Sequence, residues 1–434
     1  MNSLEATAPS AAAPTSVPLV RETAAATDTG RFHGNEGTFF GLLVRGAFLL
    51  MLTLGIYRFW LTTDVRRFLW GHSEIAGDGL EYTGTARELL IGFLMAIVLL
   101  VPINALFFLG TLIPDMLPYA GTLGFVALAL LGQFAYFRAR RYRLTRTVYR
   151  GVRFFQTGSA WNYSIRSNLW SIVILLTFGL AYPWATASLE RYKMRHTQFG
   201  DLEGGFAGSG TRLFLRGILL WAVVVGPLVV GLIAAVATVN WQALAEAATA
   251  PGDDVFTRIE TGNPELWHAM VLLLTGLVWS VLAAILLYPV FRAIIARWWL
   301  SGLRLGEITA VSRLRNGQMY GVYARFLGFA VLFSIASSIV FAMSAGLFYQ
   351  LEKSLPKSST VEIIVVVLLL VGYVVVMLGY STIYQGTVSI RVWRLAFETT
   401  EFTGLEALGS VKAQGEASGA FGEGLADALD VGGM

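Results

Sequence analysis

The sequence predicts an all-α integral membrane protein, a polytopic helical bundle of internally repeated units. Three observations predict it. Hydrophobic residues make up 55% of the 434 and charged residues only 14%, with a mean hydropathy of +0.62, far outside the balance of a soluble domain. Eight long apolar stretches divide the chain, each close to the ~20 residues that cross a hydrocarbon core about 30 Å thick. One segment also recurs downstream with like residues at the same spacing, the mark of a duplication.

Residues 1–30 are rich in Ala, Thr, Ser and Pro and lack a basic start followed by an apolar core. They read as a disordered tail rather than a signal peptide. The apolar stretches follow at roughly 39–57, 88–110, 117–137, 168–184, 213–239, 266–291, 322–348 and 361–384. All are helix candidates, because a backbone in lipid must satisfy its own hydrogen bonds. Residues 398–434 are rich in Gly and Ala and carry Glu401, Glu406, Glu416, Glu423, Asp427 and Asp430 against Lys412, which reads as a second, acidic disordered tail. Between the tails, 31–154 form one membrane half and 155–397 a second half with further, degenerate copies of the unit.

Arginines set the sidedness. The loop after the third stretch holds Arg138, Arg140, Arg141, Arg143, Arg146, Arg150 and Arg153 with no acid, which marks it as cytoplasmic. The loop after the sixth, with Arg292, Arg297, Arg304, Arg313 and Arg315 against Glu307, belongs on the same side. Segments holding Asp115, or Glu246, Asp253, Asp254 and Glu260 with Arg258, read as periplasmic. Three stretches separate the two basic loops, and three full crossings would put those loops on opposite sides. Stretch 168–184 is short and contains Gly179 and Pro183, so it is expected to be re-entrant, tilted or a half-span. The reading is then six full spans and two short or re-entrant helices, at 39–57 and 168–184, with both tails cytoplasmic. The alternative is eight spans in two halves of inverted topology.

The repeat sets Thr53-Leu-Gly-Ile-Tyr-Arg-Phe-Trp60 on Thr177-Phe-Gly-Leu-Ala-Tyr-Pro-Trp184 without a gap. Beyond it Arg67-Phe68 falls on Arg191-Tyr192, His72 on His196, Tyr82 on Phe206 and Gly84-Thr85 on Gly208-Ser209. Weaker copies keep an arginine followed by an aromatic residue just past an apolar helix: Arg141-Tyr142, Arg297-Trp298, and Arg391 and Arg394 around Trp393. Each unit reads as an apolar helix, a Gly or Pro turn, and a short amphipathic helix. A segment such as Leu80-Glu-Tyr-Thr-Gly84 then suits a short cytoplasmic hairpin.

Phe32-His-Gly34, Thr53-Leu-Gly-Ile-Tyr57, Trp60, Arg66-Arg67-Phe68 and Tyr82-Thr-Gly84 with Glu88-Leu89 together resemble the YjgN-like family of bacterial inner-membrane proteins, whose function is unknown. The likeness extends over roughly residues 31–395. The second unit departs from it, with Ala181 at the place of Tyr57 and Glu190 at that of Arg66. The resemblance implies an inner-membrane location and a multi-pass architecture, and no activity.

The chemistry-bearing residues are few. Cysteine is absent, which excludes disulfides, thiolate metal sites and cysteine nucleophiles. The four histidines, His33, His72, His196 and His268, lack metal-ligand spacing; His72 and His196 would meet only across a pseudo-symmetry axis. Asp64, Glu74, Asp78, Glu81 and Glu88 share a loop with Arg58, Arg66, Arg67 and Arg87, which favours local ion pairs over a catalytic dyad. No Gly-Lys-Ser/Thr phosphate loop is present. No enzyme activity, cofactor or metal is expected.

The net charge of +4 is spread over short loops, which fits anionic lipid headgroups and not nucleic acid. A homo-oligomer is compatible with the sequence, and protein partners are not specified by it. Arg45 and Asn104 are the candidate intramembrane polar residues: Arg45 either snorkels or pairs with a carboxylate such as Glu88, and Asn104 lines a polar path or packs a helix. Trp60, Arg67, Arg141, Trp184, Arg191, Arg297 and Trp298 are the candidate lipid-headgroup or interface residues. The expected function is non-enzymatic, transporter-like or lipid-interacting; the alternative is a structural, envelope-associated scaffold.

Overall fold

The computed structural model describes residues 27–242, 245, 249, 255–262, 264–354, 359–414 and 427. Helices come in pairs that leave the same sheet and return to it. The first pair is α1 (Glu36–Leu52) and α2 (Arg58–Gly71), the second α3 (Ala86–Thr111) and α4 (Leu117–Thr145), the third α5 (Ala160–Leu176) and α6 (Tyr182–Arg195). The fourth goes out through α7 (Gly210–Val224) and α8 (Gly226–Thr238), passes α9 (Val255–Gly262), and returns along α10 (Pro264–Gly302). The fifth is α11 (Asn316–Ser354) and α12 (Ser359–Tyr384), which continues through a π turn at Gln385–Ser389 into α13 (Ile390–Glu398).

Among the described residues five helices are long and apolar enough to cross a membrane, and six if α7 and α8, bent by 56° at their junction, act as one. No more than 17% of any single-helix span window is buried inside the protein, so these helices present apolar surface to lipid. Helices α1 and α5 are not among them. Each has 17 residues, about 26 Å at 1.5 Å per residue, short of a core about 30 Å thick.

Both short helices end in the same turn, and the sequence dictates why. Thr53 Oγ1 donates to the Leu49 carbonyl at 2.7 Å and accepts from the Tyr57 amide at 3.0 Å; Thr177 Oγ1 repeats this with Val173 and Ala181 at 2.7 and 3.1 Å. Between them the chain reverses through positive φ, +50° at Leu54 and +92° at Gly55, then +49° at Phe178 and +89° at Gly179. Glycine makes the second position cheap. Leu54 projects almost wholly exposed at the tip.

The strands are the main departure from an all-α fold. After each returning helix comes a hairpin: β3 (Ser73–Ile75) with β4 (Asp78–Tyr82), β5 (Thr147–Tyr149) with β6 (Val152–Gln156), β7 (Thr197–Phe199) with β8 (Leu202–Phe206), and β9 (Leu303–Leu305) with β10 (Ile308–Ser312). All pair antiparallel with their neighbours in one eleven-stranded sheet. The fifth hairpin is assembled from the two ends of the chain. The N-terminal segment, β1 (Asp28–Thr29) and β2 (Arg31–Phe32), pairs through β1 with β11 (Thr400–Thr403) and through β2 with β3. Only Gly30 separates β1 from β2, so the sheet closes on itself.

Closure corrects three expectations. The N-terminal tail does not extend to residue 30, and the acidic tail does not begin at 398, because Asp28–Thr29 and Thr400–Thr403 are paired strands. The boundary at 154/155 falls inside β6, which is bonded to β5 on one side and β7 on the other. Both basic loops contribute strands to this single sheet and therefore lie on one side of the molecule. Of the acidic segments expected on the opposite side, Glu246, Asp253 and Asp254 lie outside the described residues.

Three of the five passages from strand to helix use one tetrapeptide pattern. Phe32-His-Gly34-Asn35, Tyr82-Thr-Gly84-Thr85 and Phe206-Ala-Gly208-Ser209 each fold the aromatic ring over the glycine, where a Cβ would lie 2.4, 2.5 and 2.4 Å from the ring system. The fourth residue then caps the helix: Asn35 Oδ1 accepts from the Gly37 amide at 2.7 Å, and Thr85 and Ser209 accept from the third residue of their helices.

Candidate functional site

The arginine on the returning helix of each unit has a structural destination. Arg67 donates to the Gly84 carbonyl at 3.0 Å, Arg141 to that of Gly158 at 2.5 Å and Arg394 to that of Gly34 at 2.7 Å. In each case the acceptor is the residue before the N-cap of the next helix, so the arginine ties one helix pair to the following one. Arg394 does this across the ends of the chain, and Arg391 and Arg394 also pair with Glu36. Arg297 instead reaches Asn316 Oδ1 at 2.8 Å, and the Nε of Arg191 turns back to the Ala187 carbonyl at 3.1 Å.

The aromatic partner reaches the opposite way. Tyr192 donates its hydroxyl to the Ser159 carbonyl at 2.8 Å, and Trp298 its indole N–H to that of Ser209 at 3.0 Å, each the N-cap of its own pair's first helix. Trp298 is 4% exposed and packs with Met194, Phe206 and Leu213. It is a core residue, which corrects its expected place at the lipid interface. Trp60 and Trp184, at 36% and 37% exposure, do sit at the surface.

Ionic groups collect at the sheet-side ends of the helices. Arg66 is fully buried, donating to Asp427 Oδ2 at 2.5 Å and to the Tyr82 hydroxyl at 3.1 Å, with Arg143 3.5 Å from the same carboxylate. Burial works against the Arg66 charge, but Asp427 and Tyr82 outweigh it and its pKa is raised. Asp427, expected in a disordered tail, is thus a buried counterion. Lys193, at the foot of α6, bonds Glu190 at 2.6 Å; burial again opposes the charge, and Glu190 with neighbouring tyrosines raises the pKa. Glu190 also accepts from Trp299 at 3.0 Å. The acid that replaces Arg66 in the third unit therefore belongs to an ion pair of opposite arrangement. Glu88 accepts from Tyr142 at 2.7 Å and Arg146 at 3.0 Å.

Arg45 is exposed on α1, and Glu88 is engaged by Tyr142 and Arg146 rather than by Arg45. Asn104 is exposed on α3 and donates to the Leu100 carbonyl of its own helix at 2.9 Å. Around it, Ile97, Leu100, Val101, Ala105 and Phe108 form an open groove on one helix face. His72 and His196 each bond a carbonyl of their own helix, Phe68 and Tyr192, at 2.7 Å. Among the described residues no cluster of three or more His, Asp or Glu could hold a metal ion.

Two basic cavities stand out. One, of about 680 Å³ between α5 and α6, gathers Arg166, Arg191, Arg195 and His196 beside Trp170 and Trp184, with no carboxylate in its wall. The Arg166 guanidinium lies 4.9 Å over the Tyr192 ring. The other, of about 720 Å³ between α7 and α10, gathers Arg212, Arg216, Arg297 and Arg304, again without a carboxylate. The sequence singled out Trp184, Arg191 and Arg297. It missed Arg166, Arg195, Arg212 and Arg216, which lie at the sheet-side ends of their helices; the signal was present as arginines four apart, Arg191 with Arg195 and Arg212 with Arg216, on one helical face.

The model of a family described as bacterial protein of unknown function (DUF898) matches residues 27–428. Inner membrane protein YjgN of Escherichia coli O157:H7 is 27% identical over 165 residues, which cover 38% of this chain and 38% of that relative. The match thus spans well under half the length of the curated relative. No solved structure matches.

Proposed function

We propose that this chain, which belongs to the DUF898 family of bacterial proteins of unknown function, is an inner-membrane protein that holds anionic lipid headgroups in basic cavities on its sheet side. The observation that carries this is the cavity between α5 and α6, where Arg166, Arg191 and Arg195 stand together with no acid among the described residues, beside the half-exposed Trp170 and Trp184. Uncompensated guanidinium groups at the depth of an aromatic belt are complementary to phosphate. Asn104 supports anchoring over transport, because its amide is bonded within its own helix and its groove is open to one side.

In the same reading the chain crosses six times, with the pairs α1–α2 and α5–α6 entering and leaving on the sheet side. Both tails and all hairpins are then cytoplasmic, in line with the arginine count of the loops. Two short helices of 17 residues and a closed sheet support this over eight spans of inverted halves.

The test uses the tryptophans already in the cavity. Brominated phosphatidylglycerol should quench Trp170 and Trp184 more strongly than brominated phosphatidylcholine at equal mole fraction. Replacing Arg166, Arg191 and Arg195 together by Gln should reduce that preference several-fold. Equal quenching by the two lipids in the native chain would refute the proposal. For topology, reporter fusions after Gly158 and after Gly205 are expected on the same side.

A further inference from the structure

We infer that α7 and α10 form a site for one anionic phospholipid, with its phosphate among Arg212, Arg216, Arg297 and Arg304 and an acyl chain in the apolar groove beside them. The inference rests on the anionic-lipid reading above and deepens it by naming a site with both a polar and an apolar part.

The polar part is the cavity of about 720 Å³. Four guanidinium groups around one space repel one another in the absence of an anion. Arg297 has a bond to Asn316, and Arg304 bonds the Ser301 and Leu303 carbonyls; among the described residues no carboxylate lines the cavity. Arginine is the side chain whose planar donors match phosphate oxygens in pairs. The cavity lies at the sheet end of α7, against the Gly208 and Ser209 that begin the helix, which is headgroup depth if α7 enters the membrane from the sheet.

The apolar part is a groove of about 330 Å³. It runs along α7 from Leu213 to Val225 and along α10 from Ile295 back to Ala284, closed at one side by the α5–α6 turn, which Trp221 pins by donating to the Phe178 carbonyl at 2.7 Å. Ile294 borders both the groove and the basic cavity, so the two adjoin. Helix α7 supplies both: Arg212 and Arg216 face the cavity, whereas Leu213, Phe214 and Gly217 face the groove. The groove is open at Gly217, where a Cβ would meet nothing within 4 Å. Four cations beside an apolar groove that runs away from them are the pattern of an amphiphile. A free phosphate would use only half of it.

The experiment takes the full chain in nanodiscs of phosphatidylcholine and phosphatidylglycerol and reads retained lipid by native mass spectrometry. The native protein should keep one phosphatidylglycerol. Arg212→Gln with Arg216→Gln, both on exposed side chains, should lower that retention tenfold or more. Gly217→Phe, whose Cβ has open space, should lower it as far with every arginine in place, by filling the groove. Arg87→Gln, exposed on α3 and outside both basic cavities, should leave it unchanged. Retention unaffected by the α7 variants overturns the inference, even if the general preference for phosphatidylglycerol persists. Displacement of the bound lipid by glycerol 3-phosphate as readily as by phosphatidylglycerol also overturns it, since the groove would then contribute nothing. A native chain with no preference for phosphatidylglycerol refutes both this site and the broader reading.

Discussion

Arg67 donates to the Gly84 carbonyl ahead of the next helix, whereas the side chain of Arg191, at the same place in its unit, faces a basic cavity. Position in a repeat therefore fixes where an arginine starts and not where its charge ends. The buried charges make a sharper demand. Arg66→Leu leaves Asp427 with Arg143 as its cation among the described residues, and removing one member of a buried pair costs about 3–5 kcal/mol. The thermal midpoint in detergent is expected to fall accordingly, and Arg66→Leu combined with Asp427→Leu should recover much of the loss. Gly34→Val drives a side chain into the Phe32 ring, 2.4 Å from the new Cβ; overpacking of this kind costs about 1–3 kcal/mol, and the same midpoint reports it. Gly41→Ala, with no neighbour within 4 Å, is the control that should not destabilise.

Helix length governs the elements. Helices α3, α4, α10, α11 and α12 are long enough to cross, whereas α1 and α5 stop at 17 residues in a turn that threonine and glycine build twice. The tips of these short pairs expose Leu54, Ile56 and Phe178, apolar side chains suited to lipid rather than water. The hairpins test the arrangement. The chain has no cysteine, so Glu81→Cys, Glu203→Cys and Glu307→Cys, all at exposed strand or turn positions, can be labelled singly. All three should react with a membrane-impermeant maleimide from the same face of the membrane, and reaction of Glu203→Cys from the opposite face to Glu81→Cys would overturn the short-hairpin reading of α5 and α6.

For the molecule as a whole, closure of the sheet joins the two ends of the chain. Pairing of Asp28 with Phe402 and Thr29 with Glu401, the Arg394 bond to Gly34, the Trp393 bond to Ser73 at 2.8 Å and the ion pairs of Glu36 all cross that seam. Removing residues 1–34 deletes β1, β2 and the Gly34 carbonyl, and at about 1 kcal/mol per lost hydrogen bond should destabilise the protein by several kcal/mol. Removing residues 1–26 leaves those bonds in place and should leave the thermal midpoint close to that of the full chain.

The sequence by itself determined the solvent, the long apolar helices, the duplicated turn at Thr53 and Thr177, and the membership of a YjgN-like family. All of these are local: composition, hydropathy over ~20 residues, and a turn whose glycine is demanded by its own φ. A short hairpin at residues 80–84 was legible, and β4 stands there; the joining of all the hairpins in one sheet was not. A three-residue strand such as Thr147–Tyr149 has too few positions to show an alternating pattern, and it is held by partners far away in the chain. Only the tertiary structure decided that the two chain ends complete one sheet, that Asp427 neutralises Arg66, that Trp298 is core, and that arginines on α5, α6, α7 and α10 converge. Those outcomes depend on which elements meet in space, and side-chain charge carries no record of its partner until the elements are packed.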